Sequence, residues 1–352
     1  MEDKTVKKIL AIALAALLLV ATPLALASCA SEAYNIPIVC GETGMTNACG
    51  VATYGVDYYS LGVKAGDMAA DILLNGANPA EMPVATDPNP TLSVNETVAS
   101  EIGFTIPQAI KDRATSPDTT KVTREQSAVV TADADYTVGV LQLMQHIALD
   151  QSYEGFVDQL SVRMKAANKT VKVDYRNANN DASNNTLISQ GFVANNVDLI
   201  YTIATSSSKA AQAATASMDD PIPVLFNAVT NPVGEGLVAS MSAPGGNVTG
   251  VSDINPVEKQ IELIGELLDK DDIKIGLLYT SAETNSQFQI GLAKAHCTEL
   301  GYSYVEKGIS DINDLRTAMI ALANEGVDAI YIPTDNVLAN GVATVHSLNT
   351  AG

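Results

Sequence analysis

Two stretches decide the fold: residues 337–352, VLANGVATVHSLNTAG, and residues 36–42, IPIVCGE. The first reads as a helix running into a Gly turn, the usual lead-in to a further β-strand. The second reads as a buried strand with no helix before it. Joined end to end they make HSLNTAG-IPIVCGE, an ordinary helix–turn–strand passage. The expectation is therefore that the strand at 36–42 pairs beside the strand that precedes 337–352, so that chain order is rotated relative to the fold.

Working outward, residues 136 onward alternate regularly. YTVGVLQL (136–143), VKVDYRN (171–177), DLIYTIAT (198–205) and PVLFNAV (223–229) are strand-like. Helical spacing fills the gaps over Tyr153–Ala166, Asn185–Ala194 and Ser206–Met218. A second series starts at NVTGVSDI (247–254) and leads into a helix over Pro256–Leu268. KIGLLYTS (274–281), YSYVEKG (302–308) and DAIYIPTD (328–335) follow as strands. Helices are expected over Asn285–Leu300, Ile312–Glu325 and Val337–Leu348. IPIVCGE closes this series, followed by the strand GVATYGVD (50–57) and a long helix over Tyr58–Asn75. Strands separated by such helices imply βαβ units and parallel sheets.

Two lobes follow. The first is expected at 136–229 and the second at 36–57 with 230–352. Residues 58–107 return to the first lobe. Residues 108–135 are polar, lack apolar periodicity and read as a flexible linker, long enough to bridge two termini. The fold class is α/β, two Rossmann-like lobes with parallel sheets and a cleft between them, circularly permuted.

Composition agrees and excludes some functions. Of 352 residues, 47% are apolar and only 5% aromatic, with 24 Gly, a balance suited to alternating α/β structure. Net charge is −20, and no basic run could neutralise phosphates, which argues against nucleic acid. Lys4, Lys7 and Lys8 precede an apolar run from Ile9 to Ala27 ending in LASC (26–29), which describes an export signal over 1–29. The alternative is an uncleaved membrane anchor. Cys40, Cys49 and Cys297 are expected as buried, reduced thiols, although Cys40 and Cys49 are near enough in sequence to pair. No spacing suggests a metal, no cofactor is expected, and no GxxxxGK, HExxH or GxSxG supports an enzyme.

Several longer strings are similar to a known family: ATSSSKAAQAATA (204–216), PVLFNAVTNPVGEGLVAS (223–240), GGNVTGVSD (245–253), IGLLYTSAETNS (275–286), DAIYIPTDN (328–336) and ATYGVDYYSLGVKAGDMAADILLNGANPAEMP (52–83). They resemble extracellular solute-binding proteins of ABC importers, in the branch related to tryptophan/tyrosine-binding lipoproteins with the type I periplasmic-binding-protein fold. The resemblance covers nearly all of the chain after the leader except the linker. It departs in order, because the family runs from the 136–142 segment through 331–336 into 36–42 and ends near FTIPQ (104–108). A tandem duplication trimmed at both ends would produce that, as would an assembly error. LASC resembles a lipobox, which implies lipidation of Cys29 and anchoring outside the cytoplasm. The resemblance implies a monomer that captures a small amino-acid-like ligand and presents its closed form to a membrane permease. A ligand sensor and a rearranged, non-functional remnant are the alternatives.

Ligands of open parallel sheets sit beyond the carboxyl ends of the strands. Thr205, Ser206 and Ser207 open a helix after a strand and are expected to bind a carboxylate; N-capping is the plainer role. Gln145 and His146 follow 136–143 on the same side. Asn227 and Thr230 sit where the chain leaves the first lobe, or serve as turn residues. Asp335, Asn336, Glu42 and Asp57 follow strands of the second lobe, where carboxylates would meet an ammonium or else cap helices. Tyr279 is placed to stack on a ligand side chain, or to pack at the core edge.

Overall fold

The computed structural model describes residues 34–115 and 120–350. The leader, Cys29 and the last two residues of the rotated junction lie outside them. Eleven strands among the described residues form two sheets. The second-lobe sheet contains β1 (Ile38–Cys40), β2 (Ala52–Gly55), β3 (Thr91–Val94), β9 (Lys274–Thr280), β10 (Ser303–Ile309) and β11 (Ala329–Ile332), ordered β10-β9-β11-β1-β2-β3. The first-lobe sheet contains β4 (Tyr136–Gln142), β5 (Val171–Asn177), β6 (Leu199–Ile203), β7 (Val224–Asn227) and β8 (Val248–Gly250), ordered β5-β4-β6-β7-β8. All pairings are parallel except β2 with β3.

The deciding stretch lies where its pattern puts it. In β1, Val39 pairs with Tyr331 of β11 on one side and with Ala52 of β2 on the other. All three β1 residues are buried, as a central parallel strand flanked by helices requires. The Asn349 side chain accepts from the Ile36 amide at 3.0 Å and donates to the Ile36 carbonyl at 2.7 Å. The earliest and latest parts of the described chain are thus tied together by a two-way amide pair.

The helix Tyr58–Asn75 leaves the second sheet and packs on the helix Ile147–Ala166 of the first lobe, through Leu61, Phe156 and Leu160 in one core cluster. Small residues make the approach possible. A Cβ on Gly62 would lie 2.3 Å from the Ser152 carbonyl oxygen, and one on Gly155 would lie 2.1 Å from that of Tyr59. Both obstacles are backbone, so the helices must separate to admit a methyl. Gly155→Ala is expected to cost about 2–3 kcal/mol in urea denaturation, an overpacking penalty rather than a propensity effect.

Three expectations change. β8 was expected to open the second lobe, but Val224, Leu225 and Phe226 pair with Val248, Thr249 and Gly250, so the first lobe extends to about 250. A short apolar strand carries no mark of which sheet it joins. Residues 91–107 were expected with the first lobe and 108–110 in the linker, yet β3 pairs antiparallel to β2, and Ile102, Ile106 and Ile110 pack in the second-lobe core. The linker is also less free than its polarity suggests. Arg124 meets Asp158 at 2.6 Å, the Glu125 amide donates to Ser161 Oγ at 2.8 Å, and Val129 bridges to Val171. Its polar side chains find partners on the first-lobe surface, which apolar periodicity cannot register.

Smaller differences concern ends. A helix over Thr43–Cys49 is unforeseen, and the last helix breaks at Gly341 into Asn336–Asn340 and Val342–Thr350. Cys40, Cys49 and Cys297 are buried free thiols.

Candidate functional site

The carboxyl ends of the parallel strands converge between the lobes. Glu42 follows β1, Tyr58 follows β2, His146 follows β4, and Thr230 follows β7. Asp253 follows β8 and Asp335 follows β11. Together they line a small cavity of about 10 Å³, room for a single water or a cationic head. A larger cavity of about 370 Å³ adjoins it, with Glu42 and Tyr58 in both walls.

Each acid is held by local structure. The Glu42 carboxylate accepts from the amides of Gly44 at 2.5 Å and Met45 at 2.6 Å, capping the helix Thr43–Cys49. A Cβ on Gly44 would lie 2.9 Å from Glu42 Oε2, so a side chain there would shift the carboxylate against its amide donors. Asp253 accepts from Tyr58 Oη at 2.6 Å and Thr230 Oγ1 at 3.1 Å. Asp335 accepts from the Thr280 amide at 2.6 Å, Thr280 Oγ1 at 2.8 Å, Ser286 Oγ at 2.9 Å and the Leu338 amide at 2.9 Å. Behind them Glu283 accepts from the amides of Asn336 and Val337, both at 3.0 Å.

Among the described residues none of these four carboxylates has a Lys or Arg partner. Burial pushes Glu42 up to about 7 against the opposing pull of its two amide donors. Burial, then the neighbouring Asp335 charge, pushes Glu283 up to about 7. Burial also raises Asp253 and Asp335. Uncompensated negative charge held away from water favours a cation.

One hydrogen bond latches the lobes directly. His146 Nε2 lies 3.1 Å from Asn336 Oδ1, and Asn336 Nδ2 donates to Glu283 at 2.7 Å. His146 Nδ1 is buried without a partner, and burial lowers the imidazole pKa. Backbone strain marks the same rim. Ala204 and Ala228, at the ends of β6 and β7, have φ of 85° and 55°, conformations a side chain disfavours.

Of the residues expected from sequence, Glu42, His146, Thr230, Asp335 and Asn336 line the small cavity, and Asp57 lines the larger one while capping Tyr58–Asn75. The others do not reach either wall. Ser207 Oγ is spent on Asn185 at 2.9 Å, Thr205 is buried, and Ser206 is exposed. Asn227 donates to Tyr201 Oη at 2.9 Å inside the first lobe. Gln145 is exposed. Tyr279 turns outward to Glu306 at 2.7 Å. Asp253, Glu283, Tyr58 and Asn285 went unforeseen. Asp253 ends the string NVTGVSD, and the rule that an acid after an apolar run marks a strand end would have found it.

The model of the family described as ABC transporter substrate binding protein matches residues 6–117 and 137–351. The chain belongs to that family. Its members bind solutes rather than turn them over and work outside the cytoplasm. This substrate-binding protein is 37% identical over 208 residues to the tyrosine-binding protein of Clostridioides difficile strain R20291, which covers 59% of each chain. It thus spans about three-fifths of that curated relative's length. It also resembles a Streptococcus pneumoniae ABC domain solved in complex with L-Trp, at 36% identity and TM-score 0.56, covering 62% of this chain and 72% of that one. A conserved domain protein from Vibrio cholerae is similar at 33% identity and TM-score 0.55, covering 61% and 71%. The fold is that of type I periplasmic binding proteins.

Proposed function

We propose that this substrate-binding protein captures a small solute carrying an ammonium group, of the aromatic amino-acid class, between its lobes and delivers it to an ABC permease. The observation that carries the reading is the set of buried, cation-free carboxylates at the strand ends, with Glu42 and Asp253 foremost. The ammonium occupies the small cavity and replaces the missing countercharge. Relatives that bind tyrosine or L-Trp support the solute class. Closure about the interlobe crossings is a hinge motion, favoured because both lobes contact the solute only when shut.

The rotated chain order belongs to the same reading. It is supported by β1 lying between β11 and β2, by the Asn349–Ile36 pair, and by a family match that breaks at 118–136, from within the linker to the first residue of β4. Lipidation at Cys29 would tether the second lobe near the membrane through a short spacer. Mass spectrometry of the membrane-extracted N-terminus checks it: an unmodified or uncleaved Cys29 removes the tether.

A thermal-shift screen of the mature chain tests the solute class. At a hundredfold excess over Kd, a ligand adds about 2.7 kcal/mol, a rise of roughly 4 °C. Tryptophan, tyrosine, phenylalanine and their amines are the first set. No rise with any ammonium-bearing solute would overturn the reading.

A further inference from the structure

Resting on that reading, we propose that Lys121 is the carboxylate-binding residue of the site, and that the larger cavity holds the body of a zwitterionic solute. The small cavity admits only a head group, so the rest of any amino acid must lie elsewhere. The adjoining 370 Å³ shares Glu42 with it and has Val56, Tyr58, Tyr59 and Ile147 in its wall. Those side chains suit a flat apolar body.

The charge balance then selects the anion partner. Across the walls of both cavities lie Glu42, Asp57, Asp87, Asp253 and Asp335, and Lys121 is the single Lys or Arg among the described residues there. Two helix starts that could serve an anion are already occupied: Glu42 caps Thr43–Cys49 and Asp57 caps Tyr58–Asn75. The expected seat at Thr205–Ser207 lines neither cavity. Lys121 is therefore the one Lys or Arg that the wall of the larger cavity offers a carboxylate.

Its setting is built rather than loose. Lys121 Nζ stands 5.5 Å from the centroid of the Tyr59 ring, a cation–π distance. The next residue is pinned, since the Val122 amide donates to Tyr59 Oη at 2.7 Å and Tyr59 Oη in turn donates to Asp158 at 3.0 Å. The present partner of Lys121 is Glu154 at 2.6 Å, a pair with side chains 51% and 40% exposed. Such surface pairs are weak, so the ammonium can turn to a ligand carboxylate at small cost. A segment that reads as a connector thereby supplies a specificity residue.

Calorimetric titration of wild type, Lys121→Met and Lys121→Arg with L-tryptophan, tryptamine, L-tyrosine and tyramine tests this. Wild type is expected to favour each amino acid over its amine. Lys121→Met should weaken amino-acid binding about tenfold, the worth of one charge-assisted hydrogen bond, and leave the amines unchanged. Lys121→Arg should retain most of the preference. An amino-acid affinity in Lys121→Met equal to wild type would overturn the assignment and leave the uncapped start of Ile147–Ala166 as the anion's seat. Binding of neither amino acids nor amines to wild type would instead overturn the reading of the cleft, and this proposal with it.

Discussion

Asp335→Ala is expected to lower the stability of the protein by about 4 kcal/mol and its melting temperature by roughly 6 °C. The reason lies in what the carboxylate holds. Its two oxygens receive the Thr280 amide and hydroxyl, the Ser286 hydroxyl and the Leu338 amide. Those donors belong to the end of β9, the helix Thr284–Leu300 and the helix Asn336–Asn340. Removing the acceptor strands four buried donors at once, and each unsatisfied group costs about 1–3 kcal/mol before relaxation. Asp335→Asn keeps one oxygen but sets an amide donor against existing donors, so an intermediate loss is expected. Denaturant titration of both variants decides it. If Asp335→Ala melts like wild type, the carboxylate is not the tie described.

Glu42→Gln is expected to weaken binding of an ammonium-bearing solute about a hundredfold at pH 8, the worth of a buried ionic hydrogen bond. The difference should shrink toward pH 5. Glu42 and Glu283 titrate near 7 when buried, against an ordinary 4.5. A carboxyl with a raised folded pKa takes up its proton earlier in the folded chain than in the unfolded one. Its contribution to stability therefore grows as pH falls from about 7 to about 4.5, and is lost as pH rises again. Ligand affinity runs the other way, because the cation needs the ionised form. In wild type it should fall by up to about tenfold per pH unit per group below 7. Titrations at pH 5, 6, 7 and 8, with melting curves of the empty protein alongside, test both slopes. Parallel slopes, or a Glu42→Gln effect independent of pH, would contradict this account.

The two residues were read alike from sequence, as acids following strands, yet they do different work. Sequence position puts a carboxylate at a strand end. It does not say how many donors the neighbouring lobe elements will bring. Asp335 is saturated by four, whereas Glu42 keeps only two amide donors and faces both cavities. The same limit explains Ser207 and Asn227. Each stands at the right end of a strand, and each hydroxyl or amide is taken up by a neighbour, Asn185 or Tyr201.

From the residues alone came the alternation of strands and helices, the two-lobed class, and the pairing of IPIVCGE beside DAIYIPTD. Those follow from local periodicity and from the burial that a central parallel strand demands, and both are written along the chain. Tertiary structure alone decided that β8 joins the first sheet, that β3 returns to the second, and that residues 120–135 lie against the first lobe. It also decided which polar side chains are consumed internally and which are left facing the cleft. Pairing partners and spent hydrogen bonds depend on neighbours distant in sequence, and no local pattern encodes them.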